Sequence, residues 1–370
     1  MVEFIKFKRG EGKEKMKHNF SITRTQNPKT KPDQNTLRFG RTFTDHMFQM
    51  EYDASNGWHN GRIIPYGPIS LEPSAMVFHY AQEMFEGLKA YRGKDGRILL
   101  FRPDMNAKRM TTTNDRLCIP HLEEDLMIEA IKAVVDVDRD WVPEKPGTSL
   151  YIRPFIIADD PYLGVAPSSH FLFMIILSPV GPYYAKGLVP TKIFVEDEYV
   201  RAAPGGTGNA KIGANYAIGL KAQVRANEKG YEQVLWLDAI ERKYVEEIGT
   251  SNAFFYIDDE IITPPLGGSI LSGITRASVI ELLKNWGYTV SEKKLSIQEV
   301  YDKAKTGQLK EVWATGTATV ISPVGELCWK DEKVTINKGE IGSLSQKLYD
   351  EISGLQSGAI KDTRGWVVEI

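Results

Sequence analysis

The 370-residue sequence is poor in cysteine, and its two cysteines, Cys118 and Cys328, lie far apart. Two distant cysteines do not make a disulfide framework, and they are most simply buried thiols of a protein in a reducing compartment. The six histidines are never spaced as metal ligands are, so we expect no metal site. These features favour a cytoplasmic protein.

Long hydrophobic runs and an excess of one charge are also missing. The longest apolar run, Phe171 to Leu177, is far shorter than the roughly 20 residues of a membrane-spanning helix. Residues 1–20 alternate Lys and Glu, which is typical of neither a signal peptide nor a transit peptide. Because 46 basic residues stand against 48 acidic ones, we expect neither nucleic acid nor a membrane as a partner.

The sequence is rich in glycine around one lysine, Lys211, within residues 204–217. The surrounding glycines are Gly205, Gly206, Gly208 and Gly213. Glycine lets a backbone turn sharply and lets another group approach closely. A nucleophilic lysine must be partly desolvated, since its amine otherwise stays protonated. The stretch therefore indicates a turn that delivers Lys211 into a cavity as the nucleophile of a Schiff-base enzyme, although a surface loop with a solvated lysine has the same composition.

The same stretch fits neither of two nucleotide-binding patterns. A P-loop needs G-x-x-x-x-G-K-[ST], but Lys211 follows Ala210 and precedes Ile212. A dinucleotide fingerprint needs G-x-G-x-x-G, but Lys211 stands at the third glycine. A phosphate cradle at 205–213 stays open as an alternative from another functional class.

A Schiff-base enzyme with an aldehyde cofactor needs three further groups. A pyridine nitrogen needs a carboxylate, and Glu247 stands before a Gly-Thr-Ser turn. A phosphate needs backbone amides and a counter-charge, for which the helix start predicted at 272–275 and Arg109 are candidates. A small apolar substrate needs aromatic walls, for which the candidates are Tyr80, Phe85, Tyr151 and Tyr216. Each residue taken alone fits an ordinary structural role better than a functional one.

Strand and helix patterns are mixed along the chain and do not form a regular series of β-α-β units. This order favours an α+β fold in two domains. Residues 56–61 predict a tight turn between strands, and helices are predicted from Pro103, over 123–137 and from Asn215 to Gly230. Composition divides the chain into an N-terminal arm at 1–37, a small domain at 38–177, a linker rich in Pro and Gly at 178–190 and a large domain at 191–370.

Together these segments closely resemble the branched-chain amino acid aminotransferases, which are fold-type IV pyridoxal-phosphate enzymes. The similarity runs from about Leu37 to the end of the chain. Its motifs are Phe85-Glu86-Gly87-Leu88-Lys89-Ala90, Arg102-Pro103 through Arg109-Met110, Gly147-Thr148-Ser149-Leu150-Tyr151-Ile152-Arg153-Pro154, Gly205 through Tyr216, Glu247-Ile248-Gly249-Thr250 and Gly316-Thr317-Ala318. Many ordered motifs over most of a chain are far more specific than any one of them.

The resemblance implies a smaller N-terminal α/β domain and a larger C-terminal pseudo-barrel domain, with the active site between them and pyridoxal 5'-phosphate as cofactor. It implies that Lys211 forms the Schiff base and moves the proton, that Tyr216 bonds the ring hydroxyl, and that Glu247 pairs with the ring nitrogen. The residues implied for the phosphate or the rest of the cofactor are Arg109, Thr250, Ile274, Thr275 and Thr317.

The resemblance also implies the substrate contacts. The implied side-chain pocket comprises Tyr80, Phe85, Tyr151, Arg153 and Val165. The backbone of Thr317 and Ala318 would meet the substrate carboxylate. In a homodimer, the loop around 163–165 would come from the partner and cover the site.

The implied activity moves the amino group of L-leucine, L-isoleucine or L-valine to 2-oxoglutarate. The products would be branched-chain 2-oxo acids and L-glutamate, in a ping-pong cycle. A D-amino acid aminotransferase or an aminodeoxychorismate lyase shares the fold and cofactor, but the segments at 85–89 and 147–153 argue against both. A non-catalytic scaffold would be attractive only without Lys211 or Glu247, and both are present. Because Thr319 and Ser322 stand where some animal relatives carry a Cys-x-x-Cys pair, we expect no thiol switch there.

Overall fold

The structure of the protein is a computed structural model that describes residues 3–4, 17–182 and 188–370. The chain divides into two compact units, Met1–Pro182 with Leu355–Ile370 and Tyr183–Gly354. Parts of the predicted arm at 1–37 and of the predicted linker at 178–190 lie outside the described residues. Within the described ranges, no helix combines the length and apolar character needed to cross a membrane.

The first unit is built on a ten-stranded sheet whose pairs are antiparallel except for one. Its strands are β1 (Glu3–Phe4), β2 (Ser21–Ile22), β3 (His46–Asp53), β4 (Gly57–Pro65), β5 (Glu83–Phe85), β6 (Leu88–Arg92), β7 (Ile98–Phe101), β8 (Ser149–Ala158), β9 (His170–Val180) and the C-terminal strand Val367–Glu369. Its helices are α1 (Met76–Tyr80), α2 (Pro103–Arg116), α3 (Glu124–Val137) and a 3-10 turn at Arg139–Trp141. The helices predicted from Pro103 and over 123–137 are therefore confirmed.

The tight turn predicted at 56–61 is wrong. Residues 54–56 connect β3 to β4, and β4 begins at Gly57, whose φ is +64°. Trp58 pairs with Tyr52 across the two strands, and their rings lie 5.3 Å apart. An aromatic cross-strand pair stabilises extended backbone, so the glycine ends the turn and the tryptophan already belongs to the strand.

The second unit is built on a nine-stranded sheet, six strands of which close into a ring. Its strands are β10 (Thr191–Glu196), β11 (Gln233–Leu237), β12 (Val245–Ile248), β13 (Ser251–Ile257), β14 (Glu260–Thr263), β15 (Thr289–Glu292), β16 (Leu309–Gly316), β17 (Val320–Trp329) and β18 (Glu332–Thr335). The ring runs β12-β11-β10-β17-β16-β13, and the pairing of β12 with β13 closes it. The expected pseudo-barrel and the mixed α and β composition are confirmed.

Apolar side chains that alternate along these strands form the core of the ring. Ile193, Leu235, Phe255 and Val312 are buried in one cluster. Burying each such side chain stabilises the fold by about 1.5–3 kcal/mol. Strand residues alternate between two faces, and a register irregularity lies between Val245 and Ile248, which are both in this cluster. Glu247 directly precedes Ile248 and therefore lies on the other face of β12.

Five described helices accompany this sheet, and they include two short ones that follow the lysine loop. They are α4 (Ala214–Ala217), α5 (Leu220–Glu228), α6 (Ile274–Asn285), α7 (Ile297–Lys305) and α8 (Ser343–Gln356), with a 3-10 turn at Asn337–Gly339. The single helix predicted from Asn215 to Gly230 is divided at Ile218 and Gly219, which is a correction to its continuity. Its end is confirmed, since Gly230 has a φ of +85° and only glycine adopts such a conformation without strain.

Candidate active site

One asparagine holds the glycine-rich loop that carries Lys211. The Asn215 Nδ2 donates hydrogen bonds to the carbonyl oxygens of Thr207, at 2.7 Å, and Ala210, at 2.8 Å. The hydroxyl of Thr207 donates back to Asn215 Oδ1 at 2.9 Å. Asn215 is buried, so water competes little for these bonds. The side chain therefore fixes the backbone directly before Lys211.

Gly208 gives this loop its close approach to a second segment. A Cβ added at Gly208 would overlap the carbonyl oxygen of Ser269. Any side chain there would push the loop away from Ser269. Packing therefore requires glycine at position 208. This agrees with the close approach that the glycine-rich stretch predicts.

Lys211 and Tyr216 meet through the start of α4. The amine Nζ of Lys211 donates a hydrogen bond to the hydroxyl oxygen of Tyr216 at 2.8 Å. Both side chains are half-buried. A half-buried amine held by a phenol is oriented for nucleophilic attack and for proton transfer.

Glu247 is a buried carboxylate on β12. Its Oε1 accepts a hydrogen bond from the backbone N–H of Leu271 at 2.9 Å, and Asn252 Nδ2 lies 3.4 Å from the same oxygen. Its Oε2 lies 3.3 Å from Nε of Arg201. Burial raises the pKa of the Glu247 carboxyl, and the positive charge of Arg201 opposes that rise.

One cavity of the second unit brings several of these groups together. Tyr216, Glu247 and Thr250, which the sequence analysis named, line it. It is also lined by residues that the sequence analysis missed, namely Arg201, Asn215 and Leu271. The cavity therefore joins a phenol, a buried carboxylate and a guanidinium next to the lysine loop.

The N-terminus of α6 packs against the same strands. Asn252 Nδ2 donates to the carbonyl oxygen of Leu271 at 2.8 Å. A Cβ on Gly273, the residue before α6, would overlap Asn252 Oδ1. The backbone N–H groups of Ile274 and Thr275 belong to the first turn of α6, where helical acceptors are lacking and the dipole is positive. This arrangement suits an anion.

Thr317 and Ala318 lie in the turn between β16 and β17, and both are half-buried. The strand register pairs Thr315 with Asn252. A Cβ added at Gly316 would lie 3.0 Å from the hydroxyl oxygen of Ser251. The turn therefore begins beside Ser251, the residue that follows Thr250.

Arg109 lies on α2 in the first unit, where it forms a buried pair with Glu86. Arg109 Nε and Nη2 each donate to one oxygen of Glu86, both at 2.8 Å. Asn106 Nδ2 adds a third donor at 2.8 Å. Glu86 is fully buried, so its charge depends on these partners. This pair was not predicted from the sequence, and the phosphate role of Arg109 stays a prediction.

Three predicted substrate residues share one face of β5 and β8. The guanidinium of Arg153 lies 4.6 Å from the centre of the Phe85 ring. Its Nη2 donates to the hydroxyl oxygen of Tyr151 at 3.2 Å. Aromatic contacts hold the guanidinium while leaving its charge in place. The structure thus brings Phe85, Tyr151 and Arg153 together.

The other two residues of the predicted side-chain pocket lie in an exposed region of the first unit. The hydroxyl of Tyr80, on α1, donates to the carbonyl oxygen of Leu163. Val165 follows in the same loop and is 87% exposed. Tyr80 thus contacts the loop that the sequence analysis assigned to a dimer partner's site.

The missed residues differ in the signal that they leave in the sequence. Asn215 was within reach, because asparagine side chains commonly bond the carbonyls of nearby turns and Asn215 follows Lys211 closely. Arg201 left no local signal, since its partners at 247 and 269 are remote in sequence.

Comparison with known proteins agrees with this geometry. Residues 83–327 match the family model described as amino-transferase class IV. The chain is 57% identical over 354 residues to branched-chain-amino-acid aminotransferase 2 of Bacillus subtilis (strain 168), covering 96% of this chain and 98% of that protein. It is 55% identical over 343 residues to branched-chain-amino-acid transaminase 1 of the same organism, covering 92% and 96%.

Solved structures show the same similarity. The T.th. branched-chain amino acid aminotransferase with pyridoxamine 5'-phosphate has a TM-score of 0.74 at 27% identity, over 88% of this chain and 99% of that chain. The Escherichia coli branched-chain amino acid aminotransferase has a TM-score of 0.72 at 26% identity, over 87% and 98%. With a site built around Lys211 and these relatives along nearly its whole length, the chain belongs to the class IV amino-transferases, among the branched-chain amino acid aminotransferases.

Proposed function

We propose that the protein transfers the amino group of L-leucine, L-isoleucine or L-valine to 2-oxoglutarate, giving branched-chain 2-oxo acids and L-glutamate. Pyridoxal 5'-phosphate is the cofactor of this reaction. One observation carries the proposal: the half-buried amine of Lys211 lies 2.8 Å from the Tyr216 hydroxyl, beside a cavity that Glu247 lines. The relatives named above support the choice of substrates.

The donor set of the second unit fits that cofactor. The buried carboxylate of Glu247 suits a protonated ring nitrogen, and the Tyr216 hydroxyl suits the ring oxygen. The backbone amides of Ile274 and Thr275, with the exposed turn at Thr250, suit a phosphate. When bound, the cofactor supplies an electron sink that stabilises negative charge at the substrate Cα.

Lys211 carries out the proton transfer in this proposal. Its Nζ takes the proton from the substrate Cα, and the Tyr216 hydroxyl keeps the amine oriented while the proton is held. Asn215 limits the movement of the loop, so the amine returns to the same place. The two substrates use this site in turn, which makes the kinetics ping-pong.

The remaining assignments are proposals that rest on the resemblance. Phe85 and Tyr151 supply apolar walls for a branched side chain, and the Arg153 guanidinium between them suits the second carboxylate of 2-oxoglutarate. Tyr80 and Val165 extend this substrate region.

Further proposals concern the cofactor and the substrate carboxylate. Arg109 serves the cofactor phosphate, and its pairing with Glu86 would hold the guanidinium in place. Thr317 contacts the cofactor, and the backbone amides of Thr317 and Ala318 bind the substrate carboxylate.

We also propose a cytoplasmic homodimer with a small domain at 38–177 and a large domain that begins at 191. The predicted end of the large domain at 370 is replaced by residue 354, because Leu355–Ile370 belong to the first compact unit. The loop at 163–165 is apolar and exposed, with Leu163 at 60% and Val165 at 87% exposure. Exposed apolar loops of this kind favour contact with another chain, here a second copy. Both cysteines are free thiols, which fits a reducing compartment. Cys328 is buried as expected, whereas the expectation that Cys118 is buried is wrong, since Cys118 is exposed.

An absorption spectrum of the purified protein tests the proposal. Wild-type protein should show a visible band that leucine bleaches and 2-oxoglutarate restores. Lys211→Ala should lose both responses, because no amine remains to react with the aldehyde. Lys221→Ala, which removes an exposed lysine of α5, is the matched control and should behave like the wild type.

Two outcomes would contradict the proposal in different ways. A protein that stays colourless after reconstitution with pyridoxal phosphate is not this enzyme, and the phosphate-cradle interpretation of 205–213 would return. A band that responds only to D-alanine would keep the cofactor and overturn the substrates.

A further inference from the structure

Arg201 is a buried arginine held between three segments of the second unit. It is 7% exposed. Its Nη2 donates to the carbonyl oxygens of Gly208, at 3.4 Å, and of Ser269. Its Nε lies 3.3 Å from Glu247 Oε2. The carbonyl contacts fix the guanidinium plane, so the position of its charge relative to Glu247 is set by the loops that carry them.

The contact between Arg201 and Glu247 is mainly an attraction of charges. Nε of Arg201 makes no aligned hydrogen bond within the described part of the chain. The other carboxylate oxygen, Oε1, is already occupied by the N–H of Leu271. An opposite charge at this distance in a buried site strongly favours the ionised carboxyl.

Other charged groups near Glu247 do not replace Arg201. Glu246 is buried beside it and repels a second negative charge, while Lys211 contributes a smaller attraction than Arg201 does. The charge of Lys211 is not constant, because its amine is the group that reacts with the cofactor aldehyde. Arginine stays protonated throughout, so Arg201 is the permanent positive charge of this cluster.

We propose that Arg201 is a positioning residue that keeps the Glu247 carboxylate ionised and in place for the ring nitrogen of the cofactor. This inference rests on the proposed function, since the ring nitrogen belongs to that cofactor. An ionised Glu247 holds a proton on the ring nitrogen, whereas a neutral carboxyl does not, and the electron sink needs that proton.

Carboxyl titration of the apoprotein tests the proposal. The Glu247 signal is identified by infrared or carbon NMR difference against Glu247→Gln. In Arg201→Gln, which keeps hydrogen-bond donors and removes the charge, the midpoint should rise by about one pH unit or more. In Arg201→Lys, which keeps the charge, it should stay near the wild-type value. Equal midpoints in Arg201→Gln and the wild type would overturn the proposal.

The pH dependence of cofactor affinity is the second readout. Affinity for pyridoxal phosphate should fall as the pH drops through the Glu247 midpoint, and this fall should occur at higher pH in Arg201→Gln. A purely structural role would lower affinity equally at every pH and would contradict the proposal. Protein that binds no pyridoxal phosphate would contradict the proposed function alone, since the carboxyl titration uses the apoprotein.

A folding defect would also be informative. If Arg201→Gln does not fold, the double variant Arg201→Gln with Glu247→Gln should regain folding, because no ionised Glu247 then needs a counter-charge. Failure of the double variant to fold would assign Arg201 to cross-linking the loops at 208 and 269 and would overturn the proposal.

Discussion

The amine of Lys211 lies 2.8 Å from the hydroxyl oxygen of Tyr216, and the two residues are separated by only four others in the chain. Tyr216→Phe removes this contact and keeps the ring. We expect kcat/KM for leucine to fall about 10- to 100-fold, because the amine loses the group that orients it for proton transfer. Steady-state kinetics measures the fall. An unchanged thermal unfolding midpoint is the control for folding, and full activity would contradict the assignment.

Asn215→Ala should loosen the lysine loop. The substitution removes both donated bonds and the accepted one, and leaves the carbonyls of Thr207 and Ala210 without these donors. We expect the free energy of unfolding to fall by about 1–3 kcal/mol. Urea denaturation measures this loss. Asn227→Ala, a change at an exposed position of α5, is the control and should cost much less. Equal losses of unfolding free energy in Asn215→Ala and Asn227→Ala would contradict a stabilising role for the Asn215 contacts.

Gly273→Ala should weaken binding of the cofactor phosphate. The new Cβ would overlap Asn252 Oδ1, so either Asn252 or the start of α6 must move. We expect the dissociation constant for pyridoxal phosphate to rise about tenfold or more, because the first-turn amides no longer point at the anion. Fluorescence titration measures the constant. Gly67→Ala, with open space around its Cβ, should leave it unchanged.

Asp159 and Asp160 should show opposite effects of pH on stability. Burial raises the pKa of Asp159, whereas hydrogen bonds from Ser169 lower the pKa of Asp160. The folded protein therefore binds the Asp159 proton more tightly than the unfolded chain does. Its carboxylate costs stability above the folded pKa and costs nothing below the unfolded value of 3.8.

Asp159→Asn should accordingly raise the free energy of unfolding near neutral pH, and this gain should vanish as the pH falls. Asp160→Asn should lower it near neutral pH, and that loss should vanish as the pH falls through the folded pKa of Asp160. Urea denaturation at several pH values measures both. Two variants that respond to pH in the same direction would contradict the assignment.

Local chemistry decided which parts of the fold were predictable. The helix starting at Pro103 and the glycine end at Gly230 follow from backbone preferences that act within a few residues. The turn misplaced at 56–61 shows the limit, because the Tyr52 and Trp58 pair across strands outweighed a turn-forming composition. A cross-strand contact is not visible until the register is known.

The same limit applies to the site. Lys211, Tyr216 and Glu247 stand in recognisable motifs, and the structure lines a cavity with the last two. Arg201 was missed because its charged partner Glu247 and its acceptor Ser269 are remote in sequence. Arg109 was predicted as a counter-charge for a phosphate, and its buried pair with Glu86 was not predicted. Burial, which gives such charges their effect, is a property of the assembled chain.

The closed ring of strands also bears on how the chain acquires its structure. β10 pairs on one side with β11 and on the other with β17. Thr191 therefore cannot pair with Val324 until that later part of the chain has been synthesised. During synthesis, the ring stays open until β17 has left the ribosome. Until then β10 is an edge strand whose unpaired backbone N–H and C=O groups can bind other strands. Such long-range closure favours slow folding, so the yield of native protein should depend on translation speed and on chaperones more than on the stability of the finished barrel.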